Sequence, residues 1–296
     1  MKLLLLTAVA ALISLPAHAE NALPVVASFS ILGDMVAEIG GTDVSVKTIV
    51  GPNSDTHSYE PTPSDVRSVA HAKILFINGL GFEGWLPRLA SATDFKGPIV
   101  TVSDGIKVRN ASGTPDPHAW QDLSNGVIYA RNIAKALTLA LPTEAVVING
   151  RAEAYIKKLE ALNEQLKRDF GAIPPRSRKI MTSHDAFGYF GAAYGITFIA
   201  PVGLTTDAEP SAASLAALVE EMKHERIQTI FLENMTSPRL ARQLAEEGGA
   251  RVGEELFSDA LSAPNGPAPT YITMFQNNAP KFLHAMQESE RAAAPR

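Results

Sequence analysis

The sequence contains no cysteine among its 296 residues. This absence excludes disulfide bonds, so the stability of the fold has to come from its apolar core. It also excludes a lipid anchor on an N-terminal cysteine, and we therefore expect no membrane anchor.

Basic blocks and long apolar runs are also missing from most of the chain. The formal net charge of −5 gives no electrostatic reason to expect a nucleic acid or an anionic lipid as a partner. After the first 15 residues, no segment approaches the roughly 20 uninterrupted apolar residues that a membrane-spanning helix needs. Small cations remain plausible ligands.

The first residues carry the pattern of a secretory signal peptide. A basic start, Met1-Lys2, precedes an apolar stretch from Leu3 to Leu15, and the sequence Pro-Ala-His-Ala ends at Ala19. A basic end, a short apolar run and small residues before the cleavage point are what export and cleavage require. We expect residues 1–19 to be removed after Ala19 and the mature protein to reside in the periplasm.

The mature chain is long enough for two domains. Its roughly 277 residues exceed the size at which single hydrophobic cores usually stop growing. Short β-branched runs alternate with longer amphipathic stretches in both halves, a pattern that predicts parallel sheets. The predicted strands are residues 25–29, 44–50, 74–77 and 99–102 in the first half, and 179–182, 196–199, 229–232 and 251–256 in the second. The predicted fold class is α/β, with two lobes.

One long helix is predicted between the two halves. From Pro142 to about Gly171 the sequence has no further proline, and apolar residues recur at helical spacing. Such a helix would rise about 45 Å, enough to run the height of a two-lobed molecule. Two helices broken near Gly150 are the alternative. We predict an N-terminal α/β lobe over residues 20–141, a rigid linker helix over 142–172 and a C-terminal α/β lobe over 173–296.

Three histidines and one aspartate are the candidate metal ligands. They are His57 in GPNSDTHSYEPTP, His118 in TPDPHAWQD, His184 in TSHDAFGYF and Asp259 in FSDALS. All except His118 follow predicted strands, and ligands of open parallel sheets bind beyond the carboxyl ends of the strands. Imidazole nitrogens with one carboxylate oxygen suit borderline divalent metals, and four ligands satisfy zinc. Each residue also has an ordinary alternative, since loop histidines are usually solvated and Asp259 could cap a helix.

Four acidic residues lie close to these ligands in sequence: Glu60, Asp116, Asp122 and Asp185. A divalent ion held by three neutral imidazoles and one carboxylate keeps one net positive charge, which nearby carboxylates can compensate. Carboxylates that accept the free N–H of a ligand imidazole also fix its orientation. We expect such supporting roles for these four residues, with solvated loop positions as the alternative.

At these motifs the sequence resembles the substrate-binding proteins of zinc and manganese ABC importers, the cluster A-I receptors. The segments HSYEPTPSD at residues 57–65 and DPHAW at residues 116–120 resemble the first two ligand signatures of that family. The segments TSHDAFGYF at residues 182–190 and FSDALS at residues 257–262 are similar to the third and fourth. The resemblance covers nearly the whole mature chain.

The resemblance implies two Rossmann-like lobes joined by a long helix, with one metal ion at their interface and two ligands from each lobe. It implies a receptor that delivers the metal to an ABC permease in the inner membrane. In this family the third ligand tends to be His in zinc receptors and Glu in manganese receptors, so His184 favours zinc. The stretch before His57 is short and lacks the histidine-rich loop of many zinc receptors, which keeps manganese as the alternative. We also expect a monomer, with a periplasmic metallochaperone as a possible further partner.

Two other functions agree with three histidines and one carboxylate. A secreted zinc hydrolase would need an open coordination position and a general base, and the sequence has no His-Glu-x-x-His helix. An adhesin that uses the metal only for stability is the other, although no repeats point to it. We therefore predict a binding protein without catalytic residues.

Overall fold

The computed structural model describes residues 22–111, 113–206, 210–225 and 227–293. The predicted signal peptide over residues 1–19 and its cleavage after Ala19 lie outside this part. Among the helices of the described residues, none is both long enough and apolar enough to cross a membrane.

The first lobe is built on a four-stranded parallel sheet with the order β2-β1-β3-β4. Its strands are β1 Leu23–Phe29, β2 Val44–Val50, β3 Ile74–Ile77 and β4 Ile99–Thr101, and its helices are α1 Ser30–Gly40, α2 Pro63–His71, α3 Leu86–Ala92 and α4 Leu123–Ala140. A short antiparallel hairpin, β5 Asn110–Ala111 and β6 Thr114–Pro115, follows the sheet and leads into the loop that carries His118.

The second lobe repeats this plan. Its strands are β7 Lys179–Met181, β8 Thr197–Ile199, β9 Thr229–Glu233 and β10 Arg251–Leu256, and its helices are α6 Gly188–Tyr194, α7 Ala212–Glu225, α8 Pro238–Gly248 and α9 Tyr271–Ala293. The sheet is parallel with the order β10-β9-β7-β8. Counted within each lobe, both sheets have the strand order 2-1-3-4. The prediction of two α/β lobes with parallel sheets is confirmed, and the eight predicted strands differ from the observed ones by at most two residues at either end.

Helix α5, Ala145–Gly171, runs between the two sheets without a break. Gly150 lies inside it, so the alternative of two helices broken near Gly150 is wrong. Residues Pro142–Glu144 form a 3-10 turn, and the α-helix itself therefore begins three residues later than predicted. Helix α5 packs against α1 and α4 of the first lobe and against α6 and α9 of the second. The long helix thus belongs to the packing of both lobes.

One large hydrophobic core extends through both lobes. It joins Val25 of β1, Leu159 of α5, Phe190 of α6 and Phe282 of α9. A second, smaller cluster lies within the C-terminal lobe, under α7 and α8. At the junction of the lobes, the buried ring of Tyr271 lies against α4 and its hydroxyl donates a hydrogen bond to the Trp120 carbonyl. The lobes are therefore held together by close packing as well as by the chain connection.

Two helical glycines test this packing in opposite directions. A Cβ atom added at Gly126 on α4 would lie 2.7 Å from the Tyr271 hydroxyl oxygen, whereas one at Gly150 would meet nothing within 4 Å. We expect Gly150→Ala to raise the free energy of unfolding by about 0.5–1 kcal/mol, because alanine is the better helix former. We expect Gly126→Ala to lower it by about 1–3 kcal/mol despite the same propensity gain, because the added methyl overpacks the junction. Urea unfolding of the metal-free protein measures both, and stabilisation by both variants would contradict the packing of α9 on α4.

A partly buried carboxylate at the same junction predicts a pH dependence of stability. Asp34 of α1 accepts a hydrogen bond of 2.8 Å from the Tyr271 backbone N–H at the start of α9. Burial raises the pKa of Asp34 to about 7, against the lowering effect of that N–H and with a further increase from Glu38. Since the pKa of an acid is then higher in the folded state, its ionisation costs stability progressively as the pH rises from about 4 to about 7.

We expect Asp34→Asn to keep the hydrogen bond and remove this cost. The melting temperature of the metal-free variant should equal that of the wild type near pH 4 and exceed it by a growing margin up to pH about 7, above which the margin stays constant. The exposed Glu160→Gln on α5 is the control with no such trend. A margin that is independent of pH would show that Asp34 does not titrate in this range.

Candidate metal centre

Four side chains converge where the two lobes meet. His57, His118, His184 and Asp259 each place one ligand atom within 4.8 Å of the others. The last three residues are 0% exposed, and the side chain of His57 is 2% exposed. Two of the four come from each lobe. The structure therefore brings all four candidate ligands to one buried point.

Asp259 Oδ2 lies at the centre of this cluster. It is 3.2 Å from His57 Nε2, 3.7 Å from His118 Nε2 and 3.1 Å from His184 Nε2. The Nε2 atoms of His57 and His118 are 3.3 Å apart. A tetrahedral ion with ligand bonds of about 2.0–2.2 Å holds neighbouring ligand atoms about 3.3 Å apart. Asp259 Oδ1 is buried without a hydrogen-bond partner among the described residues, so the arrangement fits a small cation.

His57 lies in the loop between β2 and α2, and this loop is fixed at several points. Asp55 Oδ1 accepts a hydrogen bond of 2.9 Å from the His57 backbone N–H. The buried Trp85 indole donates to the Thr56 carbonyl at 3.0 Å. At the far end of the loop, Thr62 and Asp65 cap α2 reciprocally. Hydrogen bonds to the backbone of the loop therefore determine where the His57 ring lies.

His118 follows the β5–β6 hairpin and is held by Asp116. Asp116 Oδ1 is 3.0 Å from the His118 backbone nitrogen, which donates to it, and 2.8 Å from His118 Nδ1. Asp116 Oδ2 accepts a hydrogen bond of 2.7 Å from Arg109. Burial acts to raise the pKa of Asp116, but His118 and Arg109 outweigh it, and the net shift is downward. Asp116 is thus an ionised carboxylate that directs His118 Nε2 towards Asp259.

His184 is held in a similar way by Glu233, a residue that the sequence analysis missed. Glu233 ends β9 and is 2% exposed. Its Oε1 accepts a hydrogen bond of 2.9 Å from the His184 backbone N–H, and its Oε2 accepts one of 2.5 Å from Ser258. Oε2 also lies 2.6 Å from His184 Nδ1, although off the line of a ring N–H bond. The sequence did carry a signal for Glu233, because it is an acidic residue at the carboxyl end of an apolar strand, and ligands bind at that edge of a parallel sheet.

Asp259 belongs to a loop of the C-terminal lobe that is bound by the N-terminal lobe. The Ser258 carbonyl accepts hydrogen bonds of 2.8 Å from both the Trp120 indole and the Gln121 amide. The Leu261 backbone N–H donates to Ser30 Oγ at 2.9 Å. Each lobe therefore helps to position a ligand of the other.

Charges at the site shift the pKa of the buried ligands. Burial alone would lower the pKa of His184. The negative charges of Glu233 and Asp259 outweigh this effect, so the pKa of His184 is raised well above its usual value. Burial acts in the same direction on His118, where Asp259 and Asp116 produce a net increase of the pKa. Burial acts to raise the pKa of Asp259, but His184 and His118 hold it well below its usual range. Without a cation, the cluster therefore retains protons that a metal has to displace.

The other three predicted supporting acids have different surroundings. Asp122 caps α4 by accepting from the Ser124 backbone N–H at 2.7 Å, and the Asp185 backbone N–H donates to the Val202 carbonyl. Glu60 is exposed. In the part of the chain that the structure describes, none of the three makes a hydrogen bond or ion pair with a candidate ligand. Of the four acids chosen from the sequence, Asp116 alone is brought to a ligand imidazole.

Proteins that are similar to this chain are named for the metals they bind or transport. A family model described as zinc-uptake complex component A, periplasmic, matches residues 25–285. The chain is 32% identical over 279 residues to the iron ABC transporter substrate-binding lipoprotein MtsA of Streptococcus pyogenes, covering 90% of each chain.

Two solved structures share the architecture. A Mn-bound mutant of a periplasmic metal-binding protein from Candidatus Liberibacter asiaticus superposes with a TM-score of 0.82 at 33% identity, covering 88% of this chain and 98% of that one. The periplasmic zinc-binding protein TroA from Treponema pallidum superposes with a TM-score of 0.86 at 28% identity, covering 90% and 99%. Because the family model and these relatives span nearly all of the described residues, the chain belongs to the family of metal-binding substrate-binding proteins of ABC importers.

Proposed function

We propose that this receptor carries zinc, held by His57, His118, His184 and Asp259. The observation that supports the proposal is the buried cluster itself, in which three imidazole nitrogens and one carboxylate oxygen lie within 4.8 Å of one another. Four ligands of this kind complete the tetrahedral coordination that zinc prefers. The chain then captures the ion outside the cytoplasm and passes it to the importer.

The choice of zinc rests on the ligand atoms rather than on the relatives, whose names refer to iron, manganese and zinc. For a given nitrogen-rich site, manganese binds much more weakly than zinc, so a manganese receptor gains from additional oxygen ligands. In this protein the third ligand is His184, and the single carboxylate among the four is Asp259. Manganese is the alternative cargo.

The remaining parts of the proposal concern location and partners. The N-terminal sequence supports export with cleavage after Ala19 and residence in the periplasm. The family supports an ABC permease of the inner membrane as the partner that receives the metal. We also propose a monomer with two lobes, over residues 20–141 and 173–296, that are joined by the linker helix over residues 142–172. A periplasmic metallochaperone is a further partner to be tested by direct zinc transfer.

A hydrolytic function is not supported. The relatives are named as substrate-binding and metal-binding proteins rather than as enzymes. A catalytic zinc site keeps one coordination position open for water, whereas the four protein ligands here fill a tetrahedron.

Metal content and a change of the third ligand test the proposal. Protein purified without added metal is expected to contain about one zinc ion per chain, and competitive titration should show zinc binding roughly 100-fold or more tighter than manganese. In His184→Glu both affinities should fall, because the buried cluster is disturbed, while their ratio should shift towards manganese by roughly tenfold or more, because an oxygen replaces a nitrogen ligand.

The matched control is His224→Glu, since that histidine has a side chain 84% exposed. It should leave both affinities unchanged. A wild-type preference for manganese would overturn the assignment of zinc, and equal effects of the two substitutions would remove His184 from the ligand set.

The zinc affinity should depend on pH because metal and protons compete for the same imidazoles. The pKa values of His118 and His184 are raised in the metal-free protein, so a fraction of these rings is protonated even above pH about 6.5. As the pH falls from 8.5 to 5.5, we expect the affinity to decrease continuously, by up to about tenfold per pH unit for each proton displaced. Zinc titration against a chelator of known pH dependence, with proton release measured by calorimetry in several buffers, checks this. A constant affinity over this range would contradict imidazole ligation.

A further inference from the structure

The charge of the loaded site is the starting point, and it rests on the proposed function. A divalent cation, three neutral imidazoles and the Asp259 carboxylate add up to one positive charge. All four candidate ligands have buried side chains. An uncompensated charge in such a place is strongly disfavoured unless an opposite charge lies beside it. The site therefore needs a second negative charge.

Asp116 does not supply that charge. Its Oδ2 is 2.7 Å from Arg109 Nη1, so the carboxylate and the guanidinium form a pair with no net charge. The guanidinium lies close to Gly188, where an added Cβ atom would be 2.1 Å from the same nitrogen. Asp116 can orient His118, but Arg109 cancels its contribution to the charge of the site.

Glu233 is placed differently. It is 2% exposed, and its two oxygens accept hydrogen bonds from the His184 backbone N–H and the Ser258 hydroxyl, which are neutral donors. Among the described residues, no lysine or arginine forms an ion pair with it, and its single charged contact is with His184 Nδ1 at 2.6 Å. Its negative charge is therefore available to the metal site.

We propose that Glu233 is the positioning residue and the counter-charge that complete this site for a divalent cation. With Asp259 it balances a charge of +2. Its negative charge, 2.6 Å from His184 Nδ1, favours the tautomer with the ring proton on that nitrogen and so leaves the lone pair of Nε2 for the metal. Its hydrogen bond to Ser258, next to Asp259, joins the two ligands of the C-terminal lobe into one unit.

Two substitutions separate the charge of Glu233 from its shape. Glu233→Gln keeps the size and removes the charge, whereas Glu233→Asp keeps the charge and shortens the side chain. We expect the zinc affinity at pH 7.5 to fall by roughly 10–100-fold in the Gln variant and by less in the Asp variant. Glu221→Gln on an exposed position of α7 is the control and should bind zinc as the wild type does. If the Gln variant binds zinc as tightly as the Asp variant does, Glu233 does not act as a counter-charge.

A comparison of ions with different charges separates the two roles of Glu233. If Glu233 only held the structure in place, its substitution would weaken the binding of a monovalent and a divalent ion equally. Ag⁺ binds imidazole nitrogen but carries one charge, so the wild-type site with Glu233 overcompensates it. We expect Glu233→Gln to weaken Zn²⁺ binding by roughly tenfold more than Ag⁺ binding, and an equal loss for the two ions would overturn the proposal.

Thermal unfolding of the metal-free variants verifies that they fold. If the Gln variant does not fold, the Asp variant carries the test, and a loss of zinc affinity beyond about 100-fold despite the retained charge would overturn the proposal. A wild type that binds no divalent metal would refute the proposed function itself. Normal zinc binding by the wild type and by Glu233→Gln would refute the role of Glu233 alone.

Discussion

The contact of one aspartate oxygen with imidazoles from both lobes is the interaction on which the structure depends. Asp259 Oδ2 lies within 3.7 Å of three Nε2 atoms, two of them from the N-terminal lobe. A carboxylate buried to this degree is stable only if positive charge faces it, whether from protonated imidazoles or from a metal. The two lobes must therefore meet closely enough to bring these groups together, and the shared core around α5 provides that approach.

The shared core also affects how the site can open. Helix α5 packs against elements of both lobes, and Tyr271 of α9 is buried against α4. A wide rotation of one lobe would expose this apolar surface to water, at a cost of roughly 25 cal/mol for each Å². The loops at the site are instead joined across the lobes by a few hydrogen bonds, such as those from Trp120 and Gln121 to the Ser258 carbonyl. Local movement of these loops is the less costly way to reach the metal.

Much of this arrangement could be predicted from local sequence. The strands are short apolar runs, and three of the four candidate ligands follow predicted strands, so both are visible without a structure. Asp116 could be found because it lies two residues before His118. Glu233 ends an apolar strand, which is a visible signal, but its contact with His184 could not be predicted, because the two residues are 49 positions apart and meet only through the pairing of β7 with β9, where Met181 lies opposite Ile230. Asp122 and Asp185 are also close to ligands in sequence, but the Asp122 side chain caps α4 and the contact recorded for Asp185 is made by its backbone N–H.

The pairing of His184 with Glu233 also bears on how one fold serves several metals. If the third ligand were a carboxylate, as the family resemblance associates with manganese, then two carboxylate ligands would already neutralise a divalent ion. A second carboxylate at the place of Glu233 would then add an unbalanced negative charge to a buried site. With a histidine in the third position, the same carboxylate supplies the missing charge and orients the ring. In the proposed site, metal preference therefore depends on the charge of Glu233 as well as on the identity of the third ligand.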